Sequence, residues 1–118
     1  MHRNCIIDLG YVETDVLETL YNGCQLLLYP SLNEGFGLPP LEAMKYGKTC
    51  VVSGICSIPE ICGCAAYYVN PFDIHEISTR ILYALDNPID PNLAISQYNK
   101  ILEKEQEDLM GLCRFIIN

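Results

Sequence analysis

Basic residues are scarce in this chain. Seven Lys and Arg, scattered among 118 residues and set against fifteen Asp and Glu, leave a formal net charge of −8. Without a basic patch to neutralise a phosphate backbone, a nucleic-acid binder is excluded. No apolar run is long enough to span a bilayer, and the start lacks the basic-then-apolar order of a signal peptide, so no transmembrane segment is expected. No G-x-G-x-x-G follows the first apolar run, which argues against a dinucleotide-binding domain. Histidine is limited to His2 and His75, and none of the seven cysteines forms a C-x-x-C pair. Their tightest spacing is Cys62-Gly63-Cys64, with Cys56 six residues before it. Structural zinc sites pair their ligands at short spacing, so no metal is expected. Cys5, Cys24, Cys50 and Cys113 sit in apolar surroundings and read as small core residues. An odd cysteine count without an export signal indicates reduced thiols and a cytoplasmic location.

What is present is a folding pattern. Half the residues are hydrophobic and 19% are charged, which implies one domain with a buried interior. Ile6 to Leu9 reads as a short strand ending at Gly10. A helix follows from about Thr14 to Asn22, with Val16, Leu17, Leu20 and Tyr21 on one face and Gly23 as its stop. The run from Gln25 to Tyr29 reads as a parallel strand covered on both faces. Pro39-Pro40 opens a helix that Gly47 closes. Thr49 to Ser53 and Ala65 to Val69 are further strands. Asp73 and Glu76 form a capping box for a helix with Ile77, Ile81, Leu82 and Leu85 as its buried stripe. Asp90-Pro91 starts a last helix with Ala94, Ile95, Tyr98, Ile101 and Leu102 inward, and the E-K-E-Q-E-D run from Glu103 to Asp108 is its solvated face. The apolar end, Leu109 to Ile117, wants a partner surface. The order βαβαββαα predicts an α/β, Rossmann-like parallel sheet with helices on both faces. Ligands of such sheets bind at the carboxyl ends of the strands.

The loop at that end, Glu34 to Glu42, reads E-G-F-G-L-P-P-L-E. Its glycines let backbone N–H groups approach a ligand, and a helix start offers unpaired N–H groups to an anion. The two carboxylates would repel phosphate and suit hydroxyl groups instead. The pattern therefore suggests a ligand carrying both phosphate and sugar. Lys45 and Lys48 lie beyond the first helical turn and read as solvated. Tyr46, Tyr67 and Tyr68 read as packing, and His75 as surface. Glu60, after Pro59, either lies near the ligand or caps the segment that follows.

The segment from Tyr29 to Gly47, Y-P-S-L-N-E-G-F-G-L-P-P-L-E-A-M-K-Y-G, resembles the donor-binding signature of retaining glycosyltransferases of family 4, GT-B enzymes built from two Rossmann-like domains. The likeness extends to Leu9-Gly10-Tyr11-Val12, Val51-Val52-Ser53, Ser57-Ile58-Pro59-Glu60 and Tyr68-Val69-Asn70-Pro71, roughly Ile6 to Pro88 in all. The resemblance implies that residues 1–118 are a single, partial C-terminal donor-binding domain of GT-B type, with C-terminal helices over 90–118. It implies transfer of a hexose, of mannose or glucose type, from a nucleotide-diphosphate sugar, with no other cofactor. Glu34, the catalytic candidate, would lie beside the donor sugar and bind its hydroxyls. Gly35, Phe36, Gly37 and Leu38 would contact sugar and diphosphate through their amides, and Glu42 would bind the ribose hydroxyls from the first helical turn. The backbone after Gly10 would lie near the base.

Departures from the family pattern carry expectations of their own. The Arg and Lys that the family places upstream, to neutralise the diphosphate, are not among these 118 residues, nor is the acceptor-binding N-terminal domain. Cys50 stands where proline is usual and Cys64 where aspartate is usual, both matters of packing. Little or no transfer by this chain alone is expected, with weak nucleotide-sugar binding. A sheet edge left open ahead of Ile6 would favour a homodimer or a separately encoded N-terminal half. An acceptor linked to lipid would place the protein at the membrane surface. Two other readings stand beside this one: an inactive remnant serving as a binding or assembly module, and an unrelated Rossmann-type domain for another phospholigand. The nucleotide, the sugar and the acceptor are not legible in the sequence.

Overall fold

The computed structural model describes residues 5–32 and 38–117. Its elements in chain order are α1 (Thr14–Gly23), β1 (Leu26–Tyr29), α2 (Leu38–Lys45), β2 (Thr49–Ser53), α3 (Ile58–Cys62), β3 (Tyr67–Val69), α4 (Ile74–Asp86) and α5 (Pro91–Ile117). Three parallel strands form one sheet in the order β1-β2-β3, with Leu26 opposite Thr49 and Val51 opposite Tyr67. A chain that steps in one direction across a sheet by right-handed crossovers keeps those crossovers on one face. Accordingly Leu41, Ala43 and Met44 of α2 share a buried cluster with Ile58, Ile61 and Cys62 of α3, under Cys50 and Val52 of β2. Ala94 and Ile101 of α5 join the same cluster, and Tyr21 brings α1 to its edge. Val51, pointing the other way, packs with Val69 and with Ala84 of α4. Helices therefore cover both faces of an α/β sheet, as expected.

The central strand alone is fully covered. All five residues of β2 are buried, whereas β1 is half-buried with Leu28 40% exposed. The continuous apolar run of β1 thus marks an edge strand, not one covered on both faces, and its outer edge is unpaired among the described residues. No strand forms over Ile6 to Leu9. Ile6, Ile7 and Leu9 are exposed, and so is Cys5: among the described residues no strand pairs with this run. In α4 the expected stripe narrows to Ile77, Ile81 and Ala84. Leu82 and Leu85 are exposed, since three strands offer too little surface to cover a 13-residue helix.

Local chemistry explains where the helices start and stop. Asp73 caps α4 through its carboxylate, which accepts the Glu76 N–H at 3.0 Å. Gly47 ends α2 with φ +71°, its N–H donating to Met44 O and that of Lys48 to Ala43 O, a Schellman arrangement. Ser57-Ile58-Pro59 starts the short α3, with proline in its first turn. Inside α5, Gln97 is buried and its amide donates to Ile61 O at 2.7 Å, which fixes the long helix against α3. Its distal half is exposed along Glu103 to Leu112 and extends the molecule to 63 Å in one direction. Among the described residues, no helix is long and apolar enough to cross a membrane.

Candidate functional site

The carboxyl ends of the strands are joined by a buried hydroxyl. Ser53 closes an apolar strand and must find an acceptor there. It donates to the Ser31 carbonyl at 2.6 Å, just where the chain leaves β1. Gly54 N–H reaches Val69 O at 3.1 Å and joins the ends of β2 and β3 in the same way. The segment leading into α2 thus departs from a fixed point. Sequence reasoning passed over Ser53; its one signal is a polar residue at the close of T-C-V-V-S. Glu34, Gly35, Phe36 and Gly37 lie outside the described residues, and Leu38 is the first residue of α2.

Pro39 and Pro40 are the second and third residues of that helix. Proline has no N–H, so of residues 38–41 only Leu38 and Leu41 carry donors. The helix dipole persists, but its supply of donor groups is halved. Because α2 begins at Leu38, no acid lies in its first turn. Glu42 stands one position later than expected, in the second turn, where it is exposed.

The Glu42 side chain lines a cavity of about 410 Å³ between α1, α2 and α5. Leu17, Glu18 and Tyr21 line it from α1, Leu41 and Lys45 from α2, and Tyr98 and Glu105 from α5, with Tyr46 alongside. Tyr21 is buried and its ring stacks on that of Tyr46, centroids 6.3 Å apart at 15°. The Lys45 ammonium lies 5.7 Å from the centre of the Tyr46 ring, so this exposed lysine leans on an aromatic face. Burial, then the neighbouring Glu42 carboxylate, hold the Tyr21 hydroxyl well above the usual tyrosine range. It is therefore a neutral donor at any physiological pH. Three carboxylates, one ammonium and three tyrosines make this cavity fit for hydroxyl groups and flat rings, and unfit for phosphate.

The remaining candidates fall elsewhere. Glu60 lies in the first turn of α3 and meets Lys104 at 3.3 Å, an exposed pair that contributes little. Tyr67 donates to Asn87 O and packs edge-on against Tyr83, while Tyr68 donates to Gly63 O; both are structural. His75 is exposed. Cys50 and Cys62 are buried core thiols, whereas Cys24 is only partly covered. Among the described residues no three His, Cys, Asp or Glu side chains converge as metal ligands. A second cavity, about 460 Å³, is lined by Gln25, Lys48, Thr49 and Pro88 at the amino ends of β1 and β2, the end of the sheet away from Ser53.

The family described as "Glycosyl transferases group 1" matches residues 3–102. The chain belongs to that family. Among its relatives is the serotype-specific mannosyltransferase WbdA of Escherichia coli, 46% identical over 77 residues, which are 65% of this chain and 9% of that protein. O-antigen chain mannosyltransferase B of Escherichia coli is 44% identical over 79 residues, covering 67% of this chain and 21% of its own. O-antigen chain mannosyltransferase RfbU of Salmonella typhimurium is 35% identical over 102 residues, 86% of this chain and 28% of that protein. The group 1 chain thus spans well under a third of the length of these relatives. Sucrose-phosphate synthase from Thermosynechococcus elongatus shares the fold, with a TM-score of 0.81 at 21% identity over 98% of this chain and 31% of that one. The Rossmann-like, incomplete GT-B domain expected from the sequence resemblance is the fold found.

Proposed function

We propose that this group 1 domain is the donor-binding part of a retaining hexosyltransferase, of mannose type, that uses a nucleotide-diphosphate sugar. The relatives named mannosyltransferases support the sugar class. The observation that carries the reading is the placement of Glu42, exposed in an aromatic-lined cavity on the helix that the signature loop enters. An ionised carboxylate accepts from two neighbouring hydroxyls at once, as a ribose presents them. Glu18 and Glu105 in the same cavity repel phosphate, so the nucleoside enters the cavity and the diphosphate stays outside, at the start of α2. Because Pro39 and Pro40 carry no N–H, amides of Gly35, Phe36, Gly37 and Leu38 supply the donors there. Glu34 binds the hydroxyls of the sugar and is the catalytic candidate. The helix dipole stabilises charge gathering on the departing diphosphate.

The cavity gathers acids around a single lysine, so these 118 residues by themselves bind donor weakly and transfer little. The acceptor belongs to a further part of the protein or to a partner chain. Thermal-shift titration with GDP-, UDP- and ADP-sugars tests the reading. Stabilisation by one of them, abolished in Glu42→Ala, is expected. Silence with all three would overturn it in favour of an assembly module that keeps the fold without donor binding.

A further inference from the structure

The short helix α2 serves as a ruler for a nucleotide bound as described above. At a rise of about 1.5 Å per residue, Glu42 stands about 6 Å beyond Leu38, and Lys45 about 4.5 Å beyond Glu42 on the same helical face. With the diphosphate at the start of the helix and the ribose at Glu42, the base falls one step further along, at Lys45. Lys45 lines the cavity at that level, and its ammonium lies 5.7 Å from the centre of the half-buried Tyr46 ring. An aromatic face attracts a cation, so this contact holds an otherwise free lysine head against the cavity wall. Among the described residues that line the cavity Lys45 is the only cation, set among Glu18, Glu42 and Glu105. An ammonium carries donors and no acceptor, whereas an ionised carboxylate carries acceptors alone. A base that meets Lys45 must therefore turn an acceptor toward it. Guanine offers a carbonyl oxygen beside a ring nitrogen, and uracil a carbonyl oxygen, where adenine and cytosine present an amine. Resting on the donor-binding reading, we propose that Lys45 is a specificity-determining residue, which selects a nucleotide whose base carries an oxo group in place of that amine.

Calorimetry on three pairs of nucleotides tests this: GDP against diaminopurine riboside diphosphate, IDP against ADP, and UDP against CDP. In each pair an oxo group in one base stands where the other carries an amine. The parent chain is expected to prefer the oxo member of its tightest pair about tenfold, the scale of one base contact made by a charged donor. Lys45→Met keeps most of the stem and removes the donors. It should lower the preference to about threefold or less, with the melting temperature unchanged because Lys45 is exposed. Lys45→Arg should retain the preference. Loss of a positive charge weakens both members of a pair alike through the diphosphate they share, so the ratio isolates the contact with the base. Equal binding of the two members, a preference for the amine, or an oxo preference that Lys45→Met leaves intact would overturn the proposal while the donor-binding reading survives. If none of these nucleotides binds, that reading falls and the role of Lys45 falls with it.

Discussion

Gly47 joins the turn after α2 to the start of α5, and replacing it by alanine tests whether that joint holds the cavity together. The residue sits at φ +71°, and a Cβ placed there would come 2.9 Å from Pro91 Cβ and 3.4 Å from Ile95 Cδ1. Left-handed backbone costs a non-glycine residue about 1–2 kcal/mol. Relieving the overlap requires the rigid Pro91 ring, and with it the first turn of α5, to shift, at roughly 1–3 kcal/mol. The stiffer unfolded chain returns about 0.4–1 kcal/mol to the folded state. A net loss of about 2–3 kcal/mol follows, and at roughly 4 °C per kcal/mol for a domain of this size the midpoint falls by about 10 °C. Urea unfolding read by circular dichroism measures it. Gly23→Ala is the internal control, because a Cβ there meets nothing and the position ends a helix, so little change or a small gain is expected. A Gly47→Ala chain within about 0.5 kcal/mol of the parent would refute the reasoning, for it would mean that α5 is not seated on this turn.

Other outcomes follow from single contacts. Asp73→Ala removes the cap of α4 and should cost about 1 kcal/mol in the same unfolding assay. Burial lifts the thiols of Cys50 and Cys62 from 9.0 to about 12 and about 11, and burial likewise lifts the Tyr68 hydroxyl from 10.0 to about 12. Each group stays neutral in the folded chain at pH values where it ionises in the unfolded one. Their stabilising contribution is therefore complete below about pH 9 and is lost as pH rises toward 11–12, an alkaline decline that a pH series of denaturation midpoints would show. At pH 8, mass spectrometry after brief iodoacetamide treatment should find exposed Cys5, Cys56 and Cys64 alkylated, with Cys50 and Cys62 spared.

Much of this fold is legible from residue chemistry because the local signals agree with one another. The β-branched centre of T-C-V-V-S, the Gly47 stop and the Asp73 cap each dictate one backbone choice, and the structure shows all three. The failures share a different cause. Whether Ile6 to Leu9 pairs, whether β1 is covered and whether Leu82 is buried depend on how wide the sheet is, and no stretch of sequence states its own neighbours. The short α3 had a readable sign in Pro59, but five residues show no periodicity. At the site, the acid at position 42 was evident from spacing, yet its setting was not. Tyr21 is separated from Glu42 by a strand and a loop, and only the packing of α1 on α2 brings them together.

On the proposed reading the nucleoside lies in the cavity between α1, α2 and α5, and the diphosphate at the start of α2. Amide spectra of the labelled chain, recorded as GDP, UDP and ADP are added in turn, test that placement most directly. For at least one nucleotide, shifts should concentrate at Gly35 to Leu38, at Glu42 and along α1 from Thr14 to Tyr21. Shifts gathered instead around Gln25, Thr49 and Ile89, at the opposite end of the strands, would contradict it.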